Sequence, residues 1–181
     1  SAQGSAPQYI FFKTDGTKMY ILETVGKNVN EYSLSTAWDV STASYDQAFL
    51  VSAQVTSPEG LAFKPDGTKM YVVDTFSDDV NEYSLSTAWD IQTTSYVRNF
   101  SVASQEADPT GVFFKPDGTK MYVIGFAGRD VNEYSLSTAW NISTASYVRN
   151  FSVNTQETAP QDVFFKPDGT KMYIIGVSGD D

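Results

Sequence analysis

Carboxylates supply most of the chemistry open to this chain, because it contains neither cysteine nor histidine. That composition removes thiol nucleophiles, disulfide frameworks, zinc clusters and the side chain most often used for proton transfer near neutral pH. Acidic residues at Glu23, Glu59, Asp74, Asp78, Asp79, Glu106, Asp108 and Asp162 could hold calcium, whose ligands are oxygens. No D-x-[DN]-x-[DN]-G loop accompanies them, so calcium is a weak expectation and solubility is the better reading. Paired carboxylates could also act as acid and base, as in glycosidases, at a separation of about 5 to 10 Å. No pair stands out from the background of the repeat described below. Trp38, Trp89 and Trp140 could stack on sugars, but their identical surroundings favour packing against a neighbouring structural unit. Asn99, Asn141 and Asn150 match the glycosylation sequon, which has meaning only in a secreted eukaryotic protein. Phosphate-binding glycine loops and the G-x-S-x-G nucleophile turn are absent from the sequence.

The elements that position these residues follow from a repeat. D-G-T-K-M-Y begins at Asp15, Asp66, Asp117 and Asp168, a fixed period of 51 residues. N-E-Y-S-L-S-T-A-W starts at Asn30, Asn81 and Asn132 in the same register, and V-R-N-F-S-V recurs at Val97 and Val148. Periods of this size indicate solenoids, propellers or arrays. The units are 1-51, 52-102, 103-153 and a half unit at 154-181, with no linker or second domain between them.

Each unit reads as four strands, A to D. In the second, Gly60 to Lys64 is followed by the turn residues Pro65 to Thr68, then by Met70 to Val73. Val80 to Ser86 and Tyr96 to Val102 supply the other two, and no segment carries helical periodicity. Strands A and B are apolar on both faces, whereas C and D interleave polar residues. That gradient from a buried inner strand to an exposed outer one predicts an all-β fold, a β-propeller of about 3.5 four-stranded blades.

F-K-P-D-G-T-K-M-Y-V resembles the core motif of the YVTN and NHL type propeller repeats. The resemblance covers every unit and implies architecture; the motif says almost nothing about activity. The unit here is longer, through the A-W-D-V-S-T-A-S segment between strands C and D.

In such a blade the A-B and C-D connections share one face of the disc, and the B-C and D-A connections share the other. The first set is nearly invariant and the second diverges, so the variable face is the expected binding surface. Its candidates are Glu23, Lys27, Glu59, Asp74, Phe76, Asp78, Glu106, Asp108, Arg129 and Asp162, with no catalytic or metal-binding residue assigned. The expected function is a non-catalytic scaffold, not an enzyme, that recognises protein or glycan, with an extracellular or particle surface as its expected place. The alternative is a lactonase-like propeller hydrolase with a metal in the central channel. Only one feature favours that alternative: Glu23, Asp74, Gly125 and Gly176 differ at one equivalent position after strand B.

A net charge of -10 argues against nucleic acid and anionic membranes as partners. Apolar runs fall short of the ~20 residues of a membrane-spanning helix, and Ser1 to Gln8 lacks the regions of a signal peptide. The chain reads as soluble. The sequence stops at Asp180-Asp181, where V-N-E-Y is expected. The expected partner is therefore a second copy closing a ring of seven or eight positions, or the remainder of a longer array.

Overall fold

In the computed structural model, which describes residues 6–178, every regular element but three short 3-10 turns is a β-strand. The first residues of the Ser1 to Gln8 segment and the Asp180-Asp181 end lie outside the described residues. Three antiparallel four-stranded sheets follow in chain order: β1 (Pro7–Phe12), β2 (Lys18–Glu23), β3 (Asn28–Leu34) and β4 (Ala43–Leu50); β5 (Pro58–Phe63), β6 (Lys69–Asp74), β7 (Asp79–Leu85) and β8 (Thr94–Ser101); β9 (Pro109–Phe114), β10 (Lys120–Gly125), β11 (Asp130–Leu136) and β12 (Ala145–Ser152). A two-stranded sheet of β13 (Pro160–Phe165) and β14 (Met172–Gly176) completes the described chain. Among the described residues strands pair only within their own sheet; the architecture is that of a β-propeller. Among the described residues no helix is long and apolar enough to cross a membrane.

The P-D-G-T turn explains the A-B hairpin. In the second blade the Asp66 carboxylate accepts from the Thr68 backbone N–H (3.0 Å) and hydroxyl (2.6 Å), and Gly67 takes φ +74°. A Cβ at Gly67 would stand 2.4 Å from the Trp89 ring, so glycine serves both the backbone conformation and the seat of the tryptophan. Trp89 then stacks on Phe63 of its own blade and reaches Phe11 and Tyr20 of the preceding one. Trp140 repeats this against Phe114 and Tyr71. Trp38 meets the Phe12 ring of its own blade and is 58% exposed. Trp89 and Trp140 are thus packing groups between blades.

Strand C departs from the expected gradient. β7 is buried along most of its length despite Asn81 and Glu82. The reason is a polar lock between blades. Tyr20 and Tyr71 donate their hydroxyls to the carbonyls of Trp89 and Trp140, each at 2.7 Å. Glu31 and Glu82 pair with Lys18 and Lys69 and accept the backbone N–H of Ile91 (3.1 Å) and Ile142 (3.3 Å) from the following blade. A buried carboxylate is tolerable only with such partners. Around the lock, one apolar cluster joins the first two blades and another the second and third.

Candidate active site

The inner strands β1, β5, β9 and β13 place equivalent residues side by side at the centre. Toward the invariant face they agree: Phe12, Phe63, Phe114 and Phe165 share one position, and Ile10, Leu61, Val112 and Val163 another. At the other end they do not. Gln8, Glu59, Thr110 and Gln161 share one position, and Tyr9, Gly60, Gly111 and Asp162 the next. Strand pairing also slips in each blade at this end, between Pro7 and Tyr9, Pro58 and Leu61, Ile124 and Gly125, and Pro160 and Asp162. Such irregularities re-aim side chains beside functional sites.

The two glycines let the inner strands approach closely. A Cβ on Gly60 would lie 2.8 Å from the Thr110 carbonyl oxygen, and one on Gly111 would lie 2.5 Å from Asp162 Oδ1. The room they leave brings Tyr9 and Asp162 together in the lining of one cavity. Asp162 Oδ1 is enclosed and has no hydrogen-bond partner. Beside it is a cavity of about 220 Å³ lined by Gln8, Tyr9, Ile10, Glu59, Gln161, Asp162 and Ile175.

Burial sets the protonation of this pocket. It raises the Asp162 carboxyl from 3.8 to about 6, against the lowering effect of the neighbouring Tyr9 phenol and Val163 backbone. Burial, then the charge of Asp162, push the Tyr9 phenol far above its ordinary range, so it remains a proton donor. Glu59 is raised by burial and by Asp108, and Asp108 by burial and by Asp78. A carboxyl poised near neutrality beside a phenol held protonated can take a proton from water and polarise a carbonyl.

Of the residues expected on the variable face, Glu59 and Asp162 meet in this cavity, with Asp108 and Asp78 leading away from it. The others serve the loops. Asp74 accepts the backbone N–H groups of Thr56 (2.9 Å), Ser57 (2.8 Å) and Phe76 (3.1 Å). Glu106 does the same work one blade on, for Asp108 (3.0 Å), Ala127 (3.1 Å) and Gly128 (3.0 Å). A Cβ on Gly125 would meet the Glu106 carboxyl carbon at 2.4 Å, and one on Gly176 would meet that of Glu157 at 2.1 Å. Where strand B carries a carboxylate, the D-A loop of the described second blade carries Val55; where the loop carries Glu106, strand B carries glycine. The difference between Asp74 and Gly125 is thus an exchange of one loop cap between two positions, not a set of ligands. Thr75 and Thr110 make a second exchange: Thr75 bonds the Pro109 carbonyl (2.6 Å), whereas Phe126 replaces it one blade on and Thr110 bonds Pro160 O (3.2 Å).

Lys27, Asp78 and Arg129 are turn residues with φ of 49°, 51° and 53°, whose carbonyls accept from Val51, Val102 and Val153. Arg129 also bonds Asn154 and lies over Phe126, while Phe76 points outward and Glu23 is buried beside Gly26. Among the described residues no three acidic side chains gather as a metal site requires, and no residue is assigned to calcium. Tyr9, Gln8 and Gln161 escaped the sequence reading, which compared loops and the end of strand B. The available signal was the divergence at two consecutive positions of strand A.

No family model matches the sequence, and no curated protein matches it significantly. Solved structures do. A candidate 6-phosphogluconolactonase from Bacteroides uniformis is 17% identical with a TM-score of 0.66, covering 96% of this chain and 50% of its own length. Hydrazine synthase from Kuenenia stuttgartiensis is 21% identical with a TM-score of 0.66, over 100% and 46%. The periplasmic gluconolactonase of Pseudomonas aeruginosa is 15% identical with a TM-score of 0.58, over 84% and 40%. The chain spans about half the length of the structures it matches, and identities of this size establish the shared fold. These neighbours correct the expectation of a non-catalytic scaffold that is not an enzyme: proteins named as lactonases share the propeller, so the hydrolase alternative is the better supported.

Proposed function

We propose that the chain is the site-bearing part of a lactonase-like hydrolase acting in the axial cavity. The observation that carries this reading is Asp162, a carboxyl raised to about 6 that lines a cavity at the inner strands together with the protonated Tyr9 phenol. In its ionised form Asp162 takes a proton from water as the water oxygen bonds to the lactone carbonyl carbon. The Tyr9 hydroxyl donates a hydrogen bond to the carbonyl oxygen as negative charge develops there. Collapse of the tetrahedral intermediate breaks the ring C–O bond, and the departing alkoxide takes up the proton Asp162 received. Gln8 and Gln161 offer amide donors and acceptors for substrate hydroxyls.

The test is hydrolysis of glucono-δ-lactone above the spontaneous rate, followed by pH-stat. Asp162→Asn is expected to lower kcat about 100-fold, the usual contribution of a general base. An unchanged rate in that variant, or no rate above the spontaneous one in the wild type, overturns the proposal.

A further inference from the structure

The lining of the axial cavity holds two carboxylates, two primary amides and a phenol, and no lysine or arginine. Its surroundings extend the negative charge. Glu59 feels Asp108, and Asp108 feels Asp78, so a line of acidic residues leads from the cavity to the B-C turn of the second blade. The cations of the variable face stand elsewhere. Lys27 and Arg129 occupy the left-handed turn positions of the first and third blades, and Arg129 is held by the Asn154 side chain and the Phe126 ring.

From this distribution we propose that the site takes an uncharged polyhydroxylated lactone and rejects its phosphorylated counterpart, with Glu59 and Asp108 as the residues that discriminate. The inference rests on the hydrolase reading above and fixes its substrate class. A phosphate brings nearly two negative charges and needs Arg, Lys or a cluster of backbone N–H groups to replace its hydration. Here it would meet carboxylates within a Debye length, about 8 Å at physiological salt. Sugar hydroxyls, by contrast, are satisfied by amides, a phenol and carboxylate oxygens.

The experiment compares kcat/KM for glucono-δ-lactone and 6-phosphoglucono-δ-lactone on the wild-type chain. A preference of at least about tenfold for the unphosphorylated lactone at low salt is expected, narrowing as salt screens the repulsion. Glu59→Gln combined with Asp108→Asn should raise turnover of the phosphorylated lactone relative to the other. Equal or faster turnover of the phosphorylated lactone by the wild type overturns the inference while leaving the hydrolase reading intact. If neither lactone is hydrolysed, that reading fails, and calorimetry with sorbitol and sorbitol 6-phosphate decides the charge preference by itself. Tighter binding of sorbitol upholds it; equal or tighter binding of the phosphate, or no binding of either, overturns it.

Discussion

Tyr9 and Asp162 occupy the same position of the repeat, three units apart, and their side chains line the same cavity. The two units between them carry Gly60 and Gly111 there, and each glycine admits backbone or side-chain atoms where a Cβ would stand. One position of a nearly uniform repeat has therefore been divided into two functional ends and two spacers.

The carboxyl of Asp162 makes a prediction about pH. Its value rises from 3.8 to about 6 on folding, so between those limits the folded chain keeps a proton that the unfolded chain has released. Stability contributed by the protonated form is present at low pH and is lost as pH rises through that window, by about 3 kcal/mol. Asp162→Asn should flatten this part of the stability profile measured by urea denaturation. Lactone hydrolysis should run the other way, rising with an apparent pKa near 6, because the ionised form is the base.

The exchanged loop cap predicts a rescue. Asp74→Gly strips three backbone N–H groups of their acceptor and should cost about 2 to 3 kcal/mol. Val55→Glu alone sets a second carboxylate beside Asp74 in a buried site and should also destabilise. The double variant reproduces the arrangement of Glu106 and Gly125 and should recover at least about 1.5 kcal/mol of the summed losses in a double-mutant cycle. Simple additivity would show that the two positions do not share the task.

Two tyrosines of identical sequence context should respond differently to loss of the hydroxyl. Tyr71 is fully buried and donates to Trp140 O, so Tyr71→Phe leaves that carbonyl without its partner and should cost about 1 to 2 kcal/mol. Tyr122 is only partly buried and borders an open cavity with Glu133, Arg149 and Phe165. Tyr122→Phe should fall within about 0.5 kcal/mol of the wild type. Thermal or urea denaturation of the pair reads the difference.

Turn glycines allow steric clash to be separated from backbone strain. Gly67 and Gly169 have φ of 74° and 72°, but the Trp89 ring would meet a Cβ at Gly67 at 2.4 Å, and nothing lies within 4 Å at Gly169. Alanine at either position should cost about 1 kcal/mol for the left-handed conformation. Gly67→Ala should lose at least about 1 kcal/mol more, and quench or shift Trp89 fluorescence, as the ring is pushed off its seat.

The first and last blades expose apolar side chains away from the cavity: Trp38, Val40 and Leu50 on the first, Phe164 and Tyr173 on the last. We propose that these faces self-associate, because contiguous apolar surface of this kind marks an interface. Light scattering should give a mass at least twice the 19.9 kDa of the chain. A monomer at micromolar concentration sinks the idea.

How much of this was legible beforehand depends on whether a residue obeys the repeat or breaks it. The blade, its P-D-G-T turn and the role of the tryptophans followed from identical spacing, since Gly67, Trp89 and their copies recur unchanged. Strand C was misjudged because Glu82 reads as a solvated residue until the neighbouring blade supplies Ile142 N–H. Divergence between copies points equally to Glu59 and Asp162, which line the cavity, and to loop residues such as Asp78 and Arg129, which shape turns. Asp74 and Gly125 looked like broken symmetry because their compensating partners, Val55 and Glu106, lie 19 residues before them. Tyr9 and Asp162 were hidden for the opposite reason: they are far apart in sequence, and only convergence of the inner strands makes them neighbours.

The lock between blades joins each tyrosine to a carbonyl 69 residues ahead and each glutamate to an N–H 60 residues ahead. Recombination in phase, whether it adds or deletes a whole unit, reproduces both pairings at the new boundary. Recombination out of phase aligns neither. Such a gene can change length readily without inventing contacts, and selection need then act only on the few inner-strand positions where the copies must differ.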